Sequence, residues 1–257
     1  IIILWLTRPN IRMPEIKFDW ETGINEVCSK LKDKKLIGIQ IPDGLKVKSH
    51  TITTKIKELT GANVILWGEP TYGACDLADR PLEEVGADAL IHLGHMPMPY
   101  HSEFYAIPTY FVPVKHTGKL NLKEDSLKEI KEILPKKIGI VTTAQHLHMI
   151  DEATEKLENI GFDASVTKGG PRLAAAGQLL GCNSSSARRL KVDGFLYIGT
   201  GLFHPLTVAL STGKRVACVD PHLSLIHISE PTRPERISDA RFCWKKKIGG
   251  GGGGWGG

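Results

Sequence analysis

The sequence predicts an α/β protein built from two homologous domains, each folded around a parallel sheet, and three observations carry that expectation. From Lys35 onward, short β-branched apolar runs alternate with amphipathic stretches, the pattern of βαβ units. The runs are continuous rather than alternating, as befits strands covered on both faces. The pattern then starts again: KKLIGIQIPDG at 34–44 is echoed by KKIGIVTTAQH at 136–146, and GADALIHLG at 86–94 by KVDGFLYIG at 191–199. The offsets of 102 and 105 residues are domain-sized, which marks a duplication.

Taken in order, the first unit places strands at about Leu36–Ile41, Asn63–Trp67, Ala89–Leu93 and Thr109–Val112, with helices near Lys46–Leu59 and Asp76–Val85. The linker HTGKLNLKEDSLKEI begins at His116 and turns into an amphipathic helix, which puts the boundary near Lys115. The second unit places strands at about Lys137–Thr142, Phe162–Thr167, Gly194–Ile198 and Arg215–Val219. Its helices are expected near Met149–Ile160, Asn183–Leu190 and Pro205–Leu210, with Pro205 suited to a first helical turn. The domains are thus 13–115 and 116–222.

Both ends fall outside this scheme. Met13 is a plausible start, so residues 1–12 are expected to be upstream translation. The segment LSLIHISEPTR, Leu223 to Arg233, matches the translated end of a transposase-type sequencing-library adapter, and Gly249 to Gly257 is broken by a single Trp255. Residues 223–257 are therefore expected to be adapter read-through that packs against nothing.

Composition narrows the function. The 257 residues are 41% hydrophobic and 24% charged, ample for a real core. The net charge of +5 sits at the two ends and leaves residues 13–222 neutral, which argues against nucleic acid as a partner. The opening IIILWL stops at Thr7, too short for a membrane span. A soluble, cytoplasmic protein is expected. Five widely spaced cysteines, odd in number, fit reduced thiols with metal or redox work better than disulfides.

Two of those cysteines occupy the same place in the two units. Cys75, in TYGACDLAD, and Cys182, in GQLLGCNSS, each follow the second strand and precede a predicted helix, whose N-terminus would favour the thiolate. Loops at the carboxyl ends of parallel strands build ligand sites, and Gly73 and Gly181 allow close approach of backbone. An isolated cysteine reads more simply as a small buried hydrophobe; the duplication favours the functional reading. Two thiolates do not fill a zinc set and CxxC pairs are absent, so a ligand shared between domains, such as an iron–sulfur cluster, fits better. Cys28 and Cys218 read as packing residues.

Polar residues at strand ends mark the mouth of the same edge. Gln145, His146, Gln178 and His204, with the backbone of Gly199, Thr200 and Gly201, are candidates for holding a nucleoside cofactor. Asp43, His95 and His148 are weaker members of the group. Asp76 and Asp79 read as helix-start residues, and a lone loop histidine reads equally as a satisfied surface group.

The segments YGACDLAD, GADALIHLGH, TTAQHLH, GQLLGCN and GTGLFHPL resemble those of the archaeal-type diphthamide synthase family, non-classical radical S-adenosylmethionine enzymes, over about Leu36–Pro221. The resemblance implies three homologous α/β domains in a pseudo-threefold arrangement, each giving one cysteine to a [4Fe-4S] cluster, with the third domain missing here. Cys75 and Cys182 would then be two ligands facing one interdomain cleft. It further implies transfer of the 3-amino-3-carboxypropyl group of S-adenosylmethionine to a histidine of translation elongation factor 2, in a homodimer when full length. A chain with two thiolates would be inactive. Two other readings stay open: a quinolinate-synthase-like [4Fe-4S] dehydratase, and a non-catalytic partner subunit that delivers electrons.

Overall fold

In a computed structural model, residues 18–99 and 104–221 and the backbone of 226–229 are described. Two parallel sheets carry the chain. In the first unit β2 (Leu36–Gln40), β3 (Asn63–Leu66), β4 (Ala89–Leu93) and β5 (Thr109–Val112) lie in the order β3-β2-β4-β5. In the second, β7 (Lys137–Thr142), β8 (Asp163–Ser165), β9 (Gly194–Ile198) and β10 (Arg215–Val219) lie in the order β8-β7-β9-β10. The two orders are the same, second-first-third-fourth, and every pairing among these eight strands is parallel. The duplication read from the echoes is therefore a duplication of topology.

The central strands of each sheet are buried on both faces, as their apolar runs require. All five residues of β4 and of β9 are buried. One face of the first sheet packs Ile37, Ile39, Ile91 and Leu93 under α1 (Glu21–Ser29) and α2 (Ser49–Thr60); the other packs Leu90 against Leu82 of α3 (Asp79–Glu84). In the second unit Ile138, Ile140, Leu196 and Ile198 meet α4 (Glu124–Ile133) and α5 (Ile150–Asn159). Val141, Phe195, Tyr197 and Val216 meet α6 (Ser185–Arg189) and α7 (Phe203–Thr212) on the opposite face. Gly38 and Gly139, at like points of the two first strands, leave room for those opposite faces. A Cβ on Gly38 would stand 2.5 Å from Leu82 Cδ1, and one on Gly139 would stand 2.7 Å from the Phe195 ring. α2 and α7 both stop at a left-handed glycine, Gly61 and Gly213, whose N–H groups bond Lys57 and Ala209.

Four expectations change. The helix expected from Lys46 is a 3-10 turn over Asp43–Lys48 followed by α2, and a matching turn over Ala144–Met149 precedes α5. The helices expected from Asp76 and Asn183 begin later, at Asp79 and Ser185, and are short. A small antiparallel pair, β1 (Phe18–Asp19) with β6 (Lys115–His116), straddles the expected boundary at Lys115. Finally, the expectation that residues 223–257 pack against nothing fails at β11 (Ile226–Ser229), which pairs antiparallel with β10, Val216 opposite Ser229 and Val219 opposite Ile226. An edge strand offers a row of free backbone groups, and a short stretch with β-branched residues can satisfy them whatever follows. The side chains of Leu225, Ile228 and Phe242, and Cys243, lie outside the described residues.

Candidate functional site

An order of second-first-third-fourth reverses direction between the first and third strands, and ligands gather at the carboxyl ends of those strands. In the first unit that point lies at the ends of β2 and β4, Gln40 and His92 being paired in register. In the second it lies at the ends of β7 and β9, Thr142 opposite Ile198.

Cys75 and Cys182 both stand in the long loops after the second strand of their units, and both are exposed free thiols. Neither occupies a helix N-terminus, because α3 and α6 start at Asp79 and Ser185; side-chain clasps hold the loops instead. The Gln40 amide donates to Asp76 O at 2.7 Å, and its carbonyl accepts from Ala78 N at 3.2 Å, fixing the chain just after Cys75. Asp76 Oδ2 accepts from Tyr72 N at 3.1 Å and closes the turn from the other side. Asp79, buried, accepts from Ala106 N at 2.8 Å and anchors the loop to the segment before β5. In the second unit Gln178 takes the corresponding task. Its Oε1 accepts from Ala174 and Ala175 N at 2.8 and 3.1 Å, and its backbone carbonyl accepts from Ser186 Oγ. The side-chain oxygen expected to meet a cofactor is thus engaged within the Cys182 loop.

The remaining predicted residues divide by position. Gln145, half-buried, donates to Gly94 O at 3.2 Å, a hydrogen bond that joins the turn after β7 to the end of β4 in the other unit. His146 is buried, 3.3 Å from Thr143 Oγ1 through Nδ1, with its ring 5.5 Å from that of His116. His148 is exposed on the same turn. His204, whose protonation burial disfavours, lies parallel to Tyr197 at 6.3 Å between centroids. Gly199 and Gly201 have φ of 149° and 74°, and a Cβ on Gly199 would meet the Tyr197 hydroxyl at 2.6 Å, so the loop around Thr200 needs glycine there. Gly181 abuts the Phe203 ring, which brings the Cys182 loop and the start of α7 together. Asp43 pairs with Lys46 at 2.7 Å, and that ammonium also bonds Gly68 and Glu69 carbonyls.

Sequence reasoning missed Gln40 and His92. His92 is fully buried, its Nδ1 2.9 Å from Gln40 Oε1 and its Nε2 2.9 Å from His95 Nδ1. Burial, with His95 adding to it, pushes its imidazole down to about 3; burial lowers His95 as well, against the opposing Asp76 carboxylate. The signal was a polar pair, Gln and His, inside two strands otherwise apolar. Cys28 and Cys218 are sealed in the cores as expected, burial pushing the Cys28 thiol up to about 11.

Among the described residues no three His, Cys, Asp or Glu side chains converge tightly enough to hold a metal ion. Thiolate is the donor chemistry of iron–sulfur clusters, and the described residues present two accessible thiols on equivalent loops, with Gly73 leaving the space beside Cys75 Sγ open. A groove of about 470 Å³ between α1 and β5, bordered by Glu26, Lys30, Met98, Tyr105 and Tyr110, is lined by none of the cysteines proposed as ligands.

Fold and site together define a duplicated α/β protein that presents one exposed thiol per repeat from the loop after its second strand. The chain belongs to the family whose model is described as "Putative diphthamide synthesis protein", matched over residues 41–244. That match includes part of the segment expected to be foreign. The chain is 42% identical over 209 residues to 2-(3-amino-3-carboxypropyl)histidine synthase of Pyrococcus horikoshii, covering 79% of this chain and 59% of that protein. It is 29% identical to the synthase of Methanocaldococcus jannaschii over 212 residues, 78% of this chain and 55% of that one. A crystal structure of Dph2 from Pyrococcus horikoshii with a 4Fe-4S cluster superposes with a TM-score of 0.73 at 38% identity, covering 87% of this chain and 65% of the other. The chain thus spans about half the length of the curated relatives it matches. No helix among the described residues is long and apolar enough to cross a membrane.

Proposed function

We propose that this chain is part of a 3-amino-3-carboxypropyl transferase that modifies a histidine of translation elongation factor 2 in the first step of diphthamide synthesis, using S-adenosylmethionine and a [4Fe-4S] cluster held in part by Cys75 and Cys182. The observation that carries the reading is the repeated placement of an exposed free thiol after the second strand of both units, in a chain of this family. When bound, the cluster supplies the electron that breaks the bond between sulfur and the aminocarboxypropyl chain, with methylthioadenosine leaving. The chain's own residues do the holding. Gln40 and Gln178 fix the loops that carry the two thiols, Gln145 ties the two units, and Thr200, Gly201 and His204 offer backbone N–H groups and a neutral imidazole to the nucleoside, Gly199 shaping that loop while its own N–H bonds Val219 O. The working form is a cytoplasmic homodimer, and the elongation factor is its protein partner.

Anaerobic reconstitution with iron and sulfide tests the reading. Visible absorbance and bound iron after desalting should appear with the parent chain and fall to background in Cys75→Ala and in Cys182→Ala, whereas Cys28→Ala keeps the signal. Retention of bound iron by both loop variants defeats the assignment. S-adenosylmethionine, and not a hydroxy acid, should perturb the spectrum; the reverse result points to a dehydratase, and indifference to both points to an electron-delivery subunit.

A further inference from the structure

The hydrogen bonds beneath the Cys75 loop determine more than its shape. Gln40 has two backbone partners of opposite kind: Asp76 O can only accept and Ala78 N can only donate, so the amide NH2 faces the first and Oε1 the second. Gln40 Oε1 also lies 2.9 Å from His92 Nδ1, and an oxygen cannot donate, so His92 carries its proton on Nδ1. His92 is fully buried and neutral at physiological pH, which leaves its Nε2 a lone pair. The His95 Nδ1 atom 2.9 Å from that lone pair must then be the donor. A neutral His95 with its proton on Nδ1 carries none on Nε2. Each step follows from the one before, and the sequence of constraints starts at the backbone beside Cys75.

We propose that Gln40 and His92 are positioning residues that lock His95 in its Nδ1–H tautomer, so that its Nε2 is a hydrogen-bond acceptor at the junction of the two units. His95 follows Gly94, whose carbonyl receives Gln145 from the second unit, and it is half-buried, unlike the fully buried His92. The nitrogen is suited to a ligand with an ammonium, amide or hydroxyl donor and repels a carboxylate. In the second unit the position matching His92 is Tyr197, so the relay belongs to the first unit alone. The inference concerns the imidazoles of the chain itself and stands or falls separately from the transferase reading.

Multiple-bond 15N–1H correlation spectra of the full chain near neutral pH read the tautomer directly, with His92→Gln and His95→Gln assigning the signals. The expected result is a protonated Nδ1 and an unprotonated, high-frequency Nε2 for His95. In Gln40→Leu, His92 loses its acceptor, its proton moves to Nε2, and the His95 pattern inverts. Should Gln40→Leu fail to fold, His92→Phe removes the acceptor for His95 Nδ1–H and should release His95 to the commoner Nε2–H form. An Nε2–H pattern in the parent chain, or a His95 pattern unchanged in the variants that fold, overturns the proposal.

Discussion

The buried imidazole of His92 makes a measurable demand on folding. A free histidine titrates near 6.5, whereas burial holds His92 down to about 3. Its folded pKa is depressed, so the stability linked to it is fully present above about 6.5 and is lost as pH falls toward 3, where the unfolded chain has gained a proton that the folded chain refuses. His95 and His204 are lowered by burial too and act in the same sense, with Asp76 opposing at His95. The test is therefore a difference. Denaturant unfolding at pH 7 and pH 5 should show a smaller loss of free energy for His92→Phe than for the parent chain, and equal losses would exclude His92 as the source. The same residue shows what a sequence conceals. One apolar strand containing a histidine reads as a strand, and only its neighbours across the sheet reveal that both ring nitrogens are committed.

At the scale of elements, the strands were legible because a strand buried on both faces must be apolar throughout, and β2, β4, β7, β9 and β10 lie within a residue of their expected ranges. Helix starts were less legible. The backbone after Cys75 bonds to Gln40, which comes from β2, and that competition delays α3; after Cys182 the backbone of Asn183 pairs with Leu180 within the loop, and α6 starts beyond it. β11 was not legible because its reason is a vacant edge on β10, made by folding. If β11 protects that edge, deleting residues 223–257 should lower the thermal midpoint and promote concentration-dependent self-association through β10. Light scattering and a melting curve check this. In the intact chain the amides of Val216 to Val219 that face β11 should exchange slowly; free exchange there, with no change on deletion, would show that the pairing does not persist.

The two units meet, among other contacts, where Gln145 donates to Gly94 O. Gly94 is held at a φ of 85°, with Pro42 so near that a Cβ would lie 2.5 Å from its ring, so the carbonyl it offers has little freedom. A net hydrogen bond of this kind contributes about 0.5–1.5 kcal/mol. Gln145→Ala should therefore lower the midpoint by a few degrees, at about 2–4 °C per kcal/mol for a chain of this size. Calorimetry measures it, and an unshifted transition would mean that water replaces the bond at no cost.

Local chemistry written into the sequence determined the α/β class, the duplication and the repeated placement of Cys75 and Cys182. Apolar runs, their spacing and the echo between halves depend on nearby residues and survive without knowledge of the fold. The quoted motifs also carried the family, which the match over residues 41–244 bears out. The tertiary structure alone decided which polar groups are occupied and which are offered. The Gln178 side-chain oxygen is spent on its own loop, while Gln40 fixes the Cys75 turn and joins His92 and His95 in one buried hydrogen-bonded series. The physical reason is that a hydrogen-bond partner is set by distance in space. Partners 36 and 52 residues apart in sequence leave no periodicity for a reader to detect.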